Sequence, residues 1–478
     1  MHKKMICVHG LIVAAAIFVL AVSSGCRGKN PVAIDGEGVA GNIEGAELVV
    51  ALEGVKYLHP TPLQEPFNSS SGALHSLGDI DGDGRTDFVV AASRQGSGST
   101  VDRGWIEAYS GKDGARLWQV GGKSDAEAKA EGDENGIQLA DTVLVGDVNG
   151  DGTPDVYCRE AYYKRSVLLI SGRDGERIGR FPIERNDDWR RPLYADDLDG
   201  DGVPEIVIRA RNGSSAGLRA VSARDFAVVS EKFDFWPEAE GRQEWLLPRL
   251  DDVNRDGAAD HLLRRGLRQS NTDPVYTFEF ALVSGKDFSI IKKFETPRPR
   301  VGGKNHYAVG GDLNGDGAAD LLMTSSTGAG ESNDSSFLCA ISGADGKVLW
   351  QILGTDLEGG PQAFAVDAKS GKKTDLHPDV EFEAPVLSTP DIDGDSVRDV
   401  ATVAHVPKAA GSGKGVLVFS GKSGKQLVTL TVSKNTGTLG DALVLLDKAG
   451  SDSKPAIAVA GSGRAGSFVA ILTLPSAR

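Results

Sequence analysis

One ten-residue acidic motif recurs along the chain, and it fixes the kind of fold that can contain it. It reads GDIDGDGRTD at residues 78–87, GDVNGDGTPD at 146–155, DDLDGDGVPE at 196–205, DDVNRDGAAD at 251–260, GDLNGDGAAD at 311–320 and PDIDGDSVRD at 390–399. A seventh stretch, LDKAGSDSKPA at 446–456, keeps Asp447 and the apolar run after it but loses the spacing. Self-similarity at a fixed period is the signature of a repeat architecture, in which each copy is one supersecondary unit that cannot bury its apolar face alone.

The spacing within the motif is that of a calcium loop. Counting from its first conserved acid, carboxylates or amides stand at positions 1, 3, 5 and 9, and the main-chain carbonyl at position 7 adds another oxygen. The ligand sets are Asp79, Asp81, Asp83, Arg85 and Asp87; Asp147, Asn149, Asp151, Thr153 and Asp155; Asp197, Asp199, Asp201, Val203 and Glu205. Three more follow: Asp252, Asn254, Asp256, Ala258 and Asp260; Asp312, Asn314, Asp316, Ala318 and Asp320; Asp391, Asp393, Asp395, Val397 and Asp399. Hard-oxygen cages of this kind suit Ca²⁺, which takes six to eight ligands in flexible geometry. Without an ion, so many carboxylates in nine residues repel one another or take up protons. Five to six bound Ca²⁺ ions are expected, with the sixth loop set apart by Ser396 in place of glycine and none at Asp447.

Each loop leads into the same sequence of short strands. In the first unit these are residues 74–77 before the loop, 88–92 and 104–109 after it, and 116–120 beyond the turn Ser110-Gly111-Lys112-Asp113-Gly114, whose Asp-Gly pair supplies positive φ. The fifth unit repeats the pattern at 337–341 and 347–352. Loop starts recur roughly every 60 residues, which fits four-stranded blades carrying insertions. The expected fold is all-β: a seven-bladed β-propeller of four-stranded antiparallel blades. The last unit, ending at 468–474, lacks a fourth strand, and residues 47–52 stand before the first unit without a blade, so the N-terminal strand is expected to close the seventh.

At 478 residues, the chain exceeds what a single compact core sustains, in keeping with a repeat fold. Residues 1–25 read as an export signal: Lys3 and Lys4 precede an apolar run at 11–22 too short to span a bilayer. Ser23-Ser24-Gly25-Cys26 is similar to a bacterial lipobox, which implies lipid attachment at Cys26; ordinary cleavage is the alternative. Residues 26–45 read as a flexible tether and 46–475 as the propeller. Only Cys158 and Cys339 would remain as core thiols, so no disulfide framework is indicated. A net charge of −15 argues against nucleic-acid binding.

The loops, with their S-G-x-D-G tails, resemble FG-GAP/VCBS repeats, the modules of the integrin α-subunit propeller and of many bacterial surface proteins, over about residues 72–475. The resemblance implies Ca²⁺ in the hairpin between the first and second strands of each blade. The FG and GAP signatures are poorly kept, which weakens an integrin-like ligand-binding inference.

Alternating strands put all the calcium loops on one face and the long insertions, at 121–141, 235–244, 325–336 and 354–383, on the other. Connections this long are functional or disordered. On that face blades two to four are expected to carry Arg159, Lys164 and Arg165; Arg209 and Arg211; and Arg264, Arg265 and Arg268 in second-to-third loops, beside Arg185, Arg190 and Arg191. Tyr162, Tyr163, Trp189, Trp236 and Trp245 are interleaved. Guanidinium forks beside aromatic planes suit acidic sugars or acidic protein surfaces, so Arg159, Arg165, Trp189, Arg191, Arg209, Arg211 and Arg265 are the candidate ligand-binding residues. A rim of unconnected solvated arginines, with tryptophans packed between blades, is the bland alternative.

Catalytic signals are weak. Gly213-Ser214-Ser215-Ala216-Gly217 matches G-x-S-x-G but lies in a predicted hairpin, and residues 411–415 lack P-loop spacing. His306 aligns with Asp141, Arg191 and Asp441 six residues before their loops, a ring at the mouth of a central channel. The leading function is therefore a non-catalytic, calcium-stabilised module for adhesion or interaction. It is expected to be exported and lipid-anchored at a bacterial membrane or cell surface, or periplasmic or secreted if Cys26 carries no lipid. It is expected to be a monomer that binds a polysaccharide or protein and no nucleic acid. A polysaccharide lyase using Arg191, His306 and nearby aspartates is the first alternative. A quinoprotein-like propeller, suggested by the D-G-x-x-L-W tails at Trp118 and Trp350, is the second.

Overall fold

The computed structural model describes residues 41–44, 48–52, 57–58, 74–94, 103–121, 139–160, 166–182, 188–194, 196–212, 215–235, 244–250, 252–268, 276–295, 305–325, 336–354, 357, 363–366, 373–376, 382, 386–405, 414–432, 436, 438–450, 453–463 and 466–475. The expected signal, tether and Cys26 lie outside them. Among the described residues there is no α-helix, hence none long and apolar enough to cross a membrane.

Seven four-stranded antiparallel sheets follow one another as blades. Blade 1 comprises Leu74–Gly78, Asp87–Arg94, Arg103–Tyr109 and Arg116–Gly121. Blade 3 comprises Asp188–Tyr194, Glu205–Asn212, Ser215–Ser222 and Val228–Phe233, and blade 5 comprises Asn305–Gly311, Asp320–Ser325, Phe337–Ile341 and Val348–Leu353. Blades 2, 4 and 6 repeat this order from Leu139–Val145, Glu244–Arg249 and Val386–Thr389. The innermost strands of successive blades touch in sequence, those of blades 1 and 2 through a hydrogen bond between His75 Nε2 and Thr142 O at 3.0 Å, and that of blade 7, Thr438–Ala449, returns to that of blade 1, so the sheets form a closed ring: a β-propeller. Leu48–Ala51 pairs antiparallel with Gly466–Thr473 as the outermost strand of blade 7. Just before it, Gly41–Glu44 adds in parallel to the outer edge of blade 6.

Each of the seven apolar clusters lies between two neighbouring blades, and together they cover all seven interfaces. Middle strands are therefore buried on both faces and read as continuous apolar runs, such as Asp320–Ser325 and Phe337–Ile341. Outer strands such as Val228–Phe233 are only partly covered. The tryptophans of the D-G-x-x-L-W tails belong to these interfaces. Trp118 Nε1 donates to Gly172 O of blade 2 at 3.0 Å, and Trp350 Nε1 to Gly421 O of blade 6 at 2.6 Å. Their rings pack over Gly175 and Gly424, where a Cβ would come within about 3 Å. Cys158 and Cys339 are buried free thiols.

Ring closure is visible at the seam between blades 7 and 1. Thr86 N donates to Lys448 O, Lys448 N to Thr86 Oγ1, Gly450 N to Gly111 O and Arg85 Nε to Gly450 O. The seventh stretch thus docks on the first loop, with Asp447 exposed. The insertion between blades 5 and 6 holds a hairpin, Ala363–Val366 with Lys373–Leu376, and is pinned at its base by fully buried Phe382, whose N–H donates to Ser336 Oγ.

Candidate metal centres

Each loop joins the first and second strands of its blade and is wound around its first aspartate. In blade 1, Asp79 Oδ1 accepts the N–H groups of Gly82 and Asp83 at 2.8 and 3.0 Å, and Oδ2 accepts that of Gly84 at 2.8 Å. The inward aim of these N–H groups requires left-handed backbone, with φ of +80° and +83° at Gly82 and Gly84. Asp147, Asp197 and Asp312 are held in the same way. In blade 6, Ser396 takes the glycine conformation at φ +69° and its N–H still reaches Asp391 Oδ2 at 2.8 Å. The substitution strains the sixth loop without remaking it.

The ninth position fastens the loop to the rest of the blade. Asp87 is fully buried; its Oδ2 accepts Ile80 N at 2.8 Å, and its Oδ1 accepts Gly111 N at 3.0 Å from the S-G-x-D-G turn. Asp155, Asp260, Asp320 and Asp399 make the same two bonds, the second to Gly172, Gly285, Gly343 and Gly421. These glycines are needed for close approach: a Cβ on Gly343 would stand 1.9 Å from Ala319 O. Burial pushes the carboxyls of Asp87, Asp155, Asp260 and Asp320 up to about 6 and that of Asp399 to about 7, against the backbone N–H bonds that pull them down.

Blade 3 departs from this pattern. Ala223 replaces the turn glycine and its N–H turns to Pro204 O at 3.3 Å. Glu205 replaces the aspartate: Oε2 accepts Leu198 N, while Oε1 is buried with no protein hydrogen-bond partner. Burial raises this carboxyl to about 7, helped by the charges of Asp199, Asp197 and Asp201.

The fifth position is reached from a distant turn. The hydroxyls of Ser171 and Ser284 donate to Asp151 and Asp256 at 3.0 and 2.6 Å, and Ser110, Ser342 and Ser420 approach Asp83, Asp316 and Asp395 at 3.4–3.5 Å. The seventh-position residues Arg85, Thr153, Val203, Ala258, Ala318 and Val397 donate their N–H groups to the fifth-position aspartates of their own loops, Asp201 in the case of Val203. In blades 2, 4 and 5 the amides of Asn149, Asn254 and Asn314 also donate to them.

Carboxylate oxygens of Asp79, Asp81 and Asp87 lie within 4.8 Å of one another, as do those of Asp197, Asp199 and Glu205, of Asp252, Asp256 and Asp260, and of Asp391, Asp393 and Asp399. These groups can hold metal ions. The donors are all hard oxygens, and the partnerless buried Oε1 of Glu205 is an acceptor that a cation would satisfy.

The predicted arginine patch is rearranged. Arg159, Arg209, Arg211, Arg265 and Arg268 lie within second strands, not in second-to-third loops. The ladders run past the apolar stretches because pairing extends to the hairpin ends, as at Asn212 and Ser215. Arg209 is half-buried opposite Asp188. Arg264, expected at the rim, is fully buried between blades 4 and 5, where Nη1 donates to Tyr307 Oη at 2.7 Å. Trp189, Arg190 and Arg191 stand on the innermost strand of blade 3, and Trp245 on that of blade 4. Asp141, His306 and Asp441 likewise fall on innermost strands. Arg165, Lys164, Arg185, Tyr162, Tyr163 and Trp236 lie outside the described residues.

Residues 147–208 match the family model of the FG-GAP-like repeat. The chain thus carries an FG-GAP-like repeat within a seven-bladed β-propeller. No curated protein matches it. Among solved structures it is similar to BBS1N in complex with ARL6DN, at 10% identity over 91% of this chain and 98% of that one, with a TM-score of 0.44. It is also similar to a Bacillus licheniformis rhamnogalacturonan lyase, at 13% identity over 84% and 71% with a TM-score of 0.42. A quinohemoprotein alcohol dehydrogenase from Comamonas testosteroni aligns at 10% identity over 83% and 74%, with a TM-score of 0.37.

Proposed function

We propose that this protein is a calcium-stabilised, non-catalytic propeller that is exported, held at a bacterial membrane or cell surface through lipid on Cys26, and engages an acidic polysaccharide or protein with the face opposite its loops. The observation that carries the reading is the recurrence of one oxygen-lined loop in six blades, four of them with three carboxylates drawn together. Carboxylates packed this closely and pushed toward protonation by burial are stabilised when a divalent ion replaces the protons. Flexible loops of mixed carboxylate, amide and carbonyl oxygen suit Ca²⁺ better than Mg²⁺, which demands a tighter octahedron. The export-signal pattern of residues 1–25, the lipobox likeness at Cys26 and Arg159, Arg209, Arg211 and Arg265 of blades two to four support the remaining parts.

The test is the melting temperature of the full chain in EGTA and in rising Ca²⁺ or Mg²⁺. A site of about 10⁻⁴ M affinity contributes about 2.7 kcal/mol at a hundredfold excess of ion. Calcium is therefore expected to raise the melting temperature by several degrees or more, with magnesium far less effective. An unchanged melting temperature removes the calcium reading. Retention on an acidic polysaccharide without new unsaturated ends supports a binding role, and such ends would establish a lyase instead.

A further inference from the structure

Four consecutive blades lay a basic side chain from the third residue of the S-G-x turn over their own metal loop. In blade 3, Arg224 Nη1 is 2.8 Å from Asp201 Oδ2. In blade 1, Lys112 Nζ is 3.8 Å from Asp83 Oδ2. In blades 2 and 4, Arg173 Nη1 and Lys286 Nζ donate to the main-chain oxygens of Asp151 and Asp256 at 3.0 and 3.2 Å. All four acceptors are fifth-position residues, whose carboxylates are metal-ligand candidates. The turn favours the contact: in blades 2 and 4 its serine, two residues earlier, bonds the same fifth-position aspartate, and a long side chain leaving the next corner has that loop beneath it. Blade 5 has Ala344 at this place and offers its loop no such cation.

We propose that these basic residues are tethered counter-cations that compete with the metal ion at the fifth loop position, so that each such loop, blade 3 above all, takes its ion less tightly than it would without its own cation. The proposal rests on the reading of the loops as calcium sites. A guanidinium hydrogen-bonded to Asp201 takes one of the carboxylate's lone pairs and cancels part of the local charge that draws a divalent ion. For Asp201 to turn toward an ion, that charge-assisted bond has to break. A lysine 3.8 Å away cancels charge without occupying the oxygen as firmly, and a cation on the main-chain carbonyl adds its charge while leaving the carboxylate to its serine, amide and N–H donors. Both partners in blade 3 are partly exposed, at 58% and 31%, so the effect is a several-fold weakening and not a block.

The experiment is hydrogen exchange, followed by mass spectrometry on the full chain, across a Ca²⁺ titration, which reads a separate protection midpoint for each loop. Arg224→Ala should lower the midpoint of the blade 3 loop about three- to fivefold, and Ala344→Arg should raise that of the blade 5 loop by a similar factor, each leaving the other loops in place. Arg219→Ala removes the same charge from blade 3, where the arginine pairs with Glu231 away from the loop, and should move nothing. Midpoints unaltered by Arg224→Ala and Ala344→Arg, or shifted equally by Arg219→Ala, overturn the competition while leaving calcium binding intact. Protection that no loop gains from Ca²⁺ overturns the competition and the calcium reading together.

Discussion

Blades 3 and 5 build the same loop and anchor it in opposite ways. In blade 5 the ninth-position carboxylate of Asp320 is spent on two backbone N–H groups, Leu313 and Gly343, and ties the loop to the turn behind it. In blade 3, Ala223 diverts the turn, Glu205 bonds Leu198 N alone and keeps a second oxygen buried and without a protein partner. The first arrangement is complete as protein, and the second keeps a buried acceptor unused. The same acidic position can therefore be a full clasp between loop and turn or a half-clasp with an oxygen left for a ligand, and the acid and the turn residue facing it change together.

The largest effect expected from this difference is on stability. Asp320→Ala leaves two buried N–H groups without acceptors and should destabilise the metal-free protein by about 3–5 kcal/mol, whereas Glu205→Ala strands one and should cost about 1–2 kcal/mol. Urea denaturation in EGTA measures both, and equal losses would erase the distinction between clasp and ligand. Next in size is the glycine behind the clasp. Gly343→Ala puts a Cβ 1.9 Å from Ala319 O and should cost about 1–3 kcal/mol, while Ala223→Gly in blade 3 should lie within about 0.5 kcal/mol of the native protein. Combining Ala223→Gly with Glu205→Asp should recreate the blade 5 clasp, giving a double variant more stable than the two single changes predict by addition.

The smallest effect is a drift with pH in the absence of metal. A carboxyl whose pKa is higher in the folded state binds its proton more tightly there. The metal-free protein therefore loses stability as pH rises from the unfolded value through the folded one, and the loss is complete above it. For Asp320 that window runs from 3.8 to about 6, and for Glu205 from 4.5 to about 7. Denaturation midpoints in EGTA should fall between about pH 5 and pH 7, and Glu205→Gln should flatten the upper part of that fall more than the lower. Calcium should reverse the trend, since protons and metal compete for the same oxygens.

The fold was legible because its period is written in the loops. Strand boundaries in blades 1 and 5 follow from apolar runs hemmed by an acidic loop on one side and S-G-x-D-G on the other. The side chains that finish each site were less legible, because they arrive from turns some twenty residues downstream. Only a known cross-strand register places Ser171 or Arg224 over Asp151 or Asp201. The arginines of blades 2 to 4 show the same limit. Successive residues of a strand face opposite ways, so a run such as Arg264-Arg265 reads as one patch in sequence, although a strand sends its two members to different faces; Arg264 ends in the core against Tyr307. The tryptophans of the D-G-x-x-L-W tails were ambiguous for a related reason, since their indole N–H finds its acceptor on the next blade.

The seam at Thr86 and Lys448 sets a timetable for making the molecule. Thr86 and Gly111 are synthesised well before the backbone groups they hold, on Lys448 and Gly450. The first blade must wait with an open flank, next to its own acidic loop, until the seventh has been made. Local hairpins can form as they appear, yet the ring is sealed by contacts between distant parts of the chain, which are slow to form. A chain truncated before residue 448 would therefore leave the earliest-made blade, as well as the last, without its neighbour.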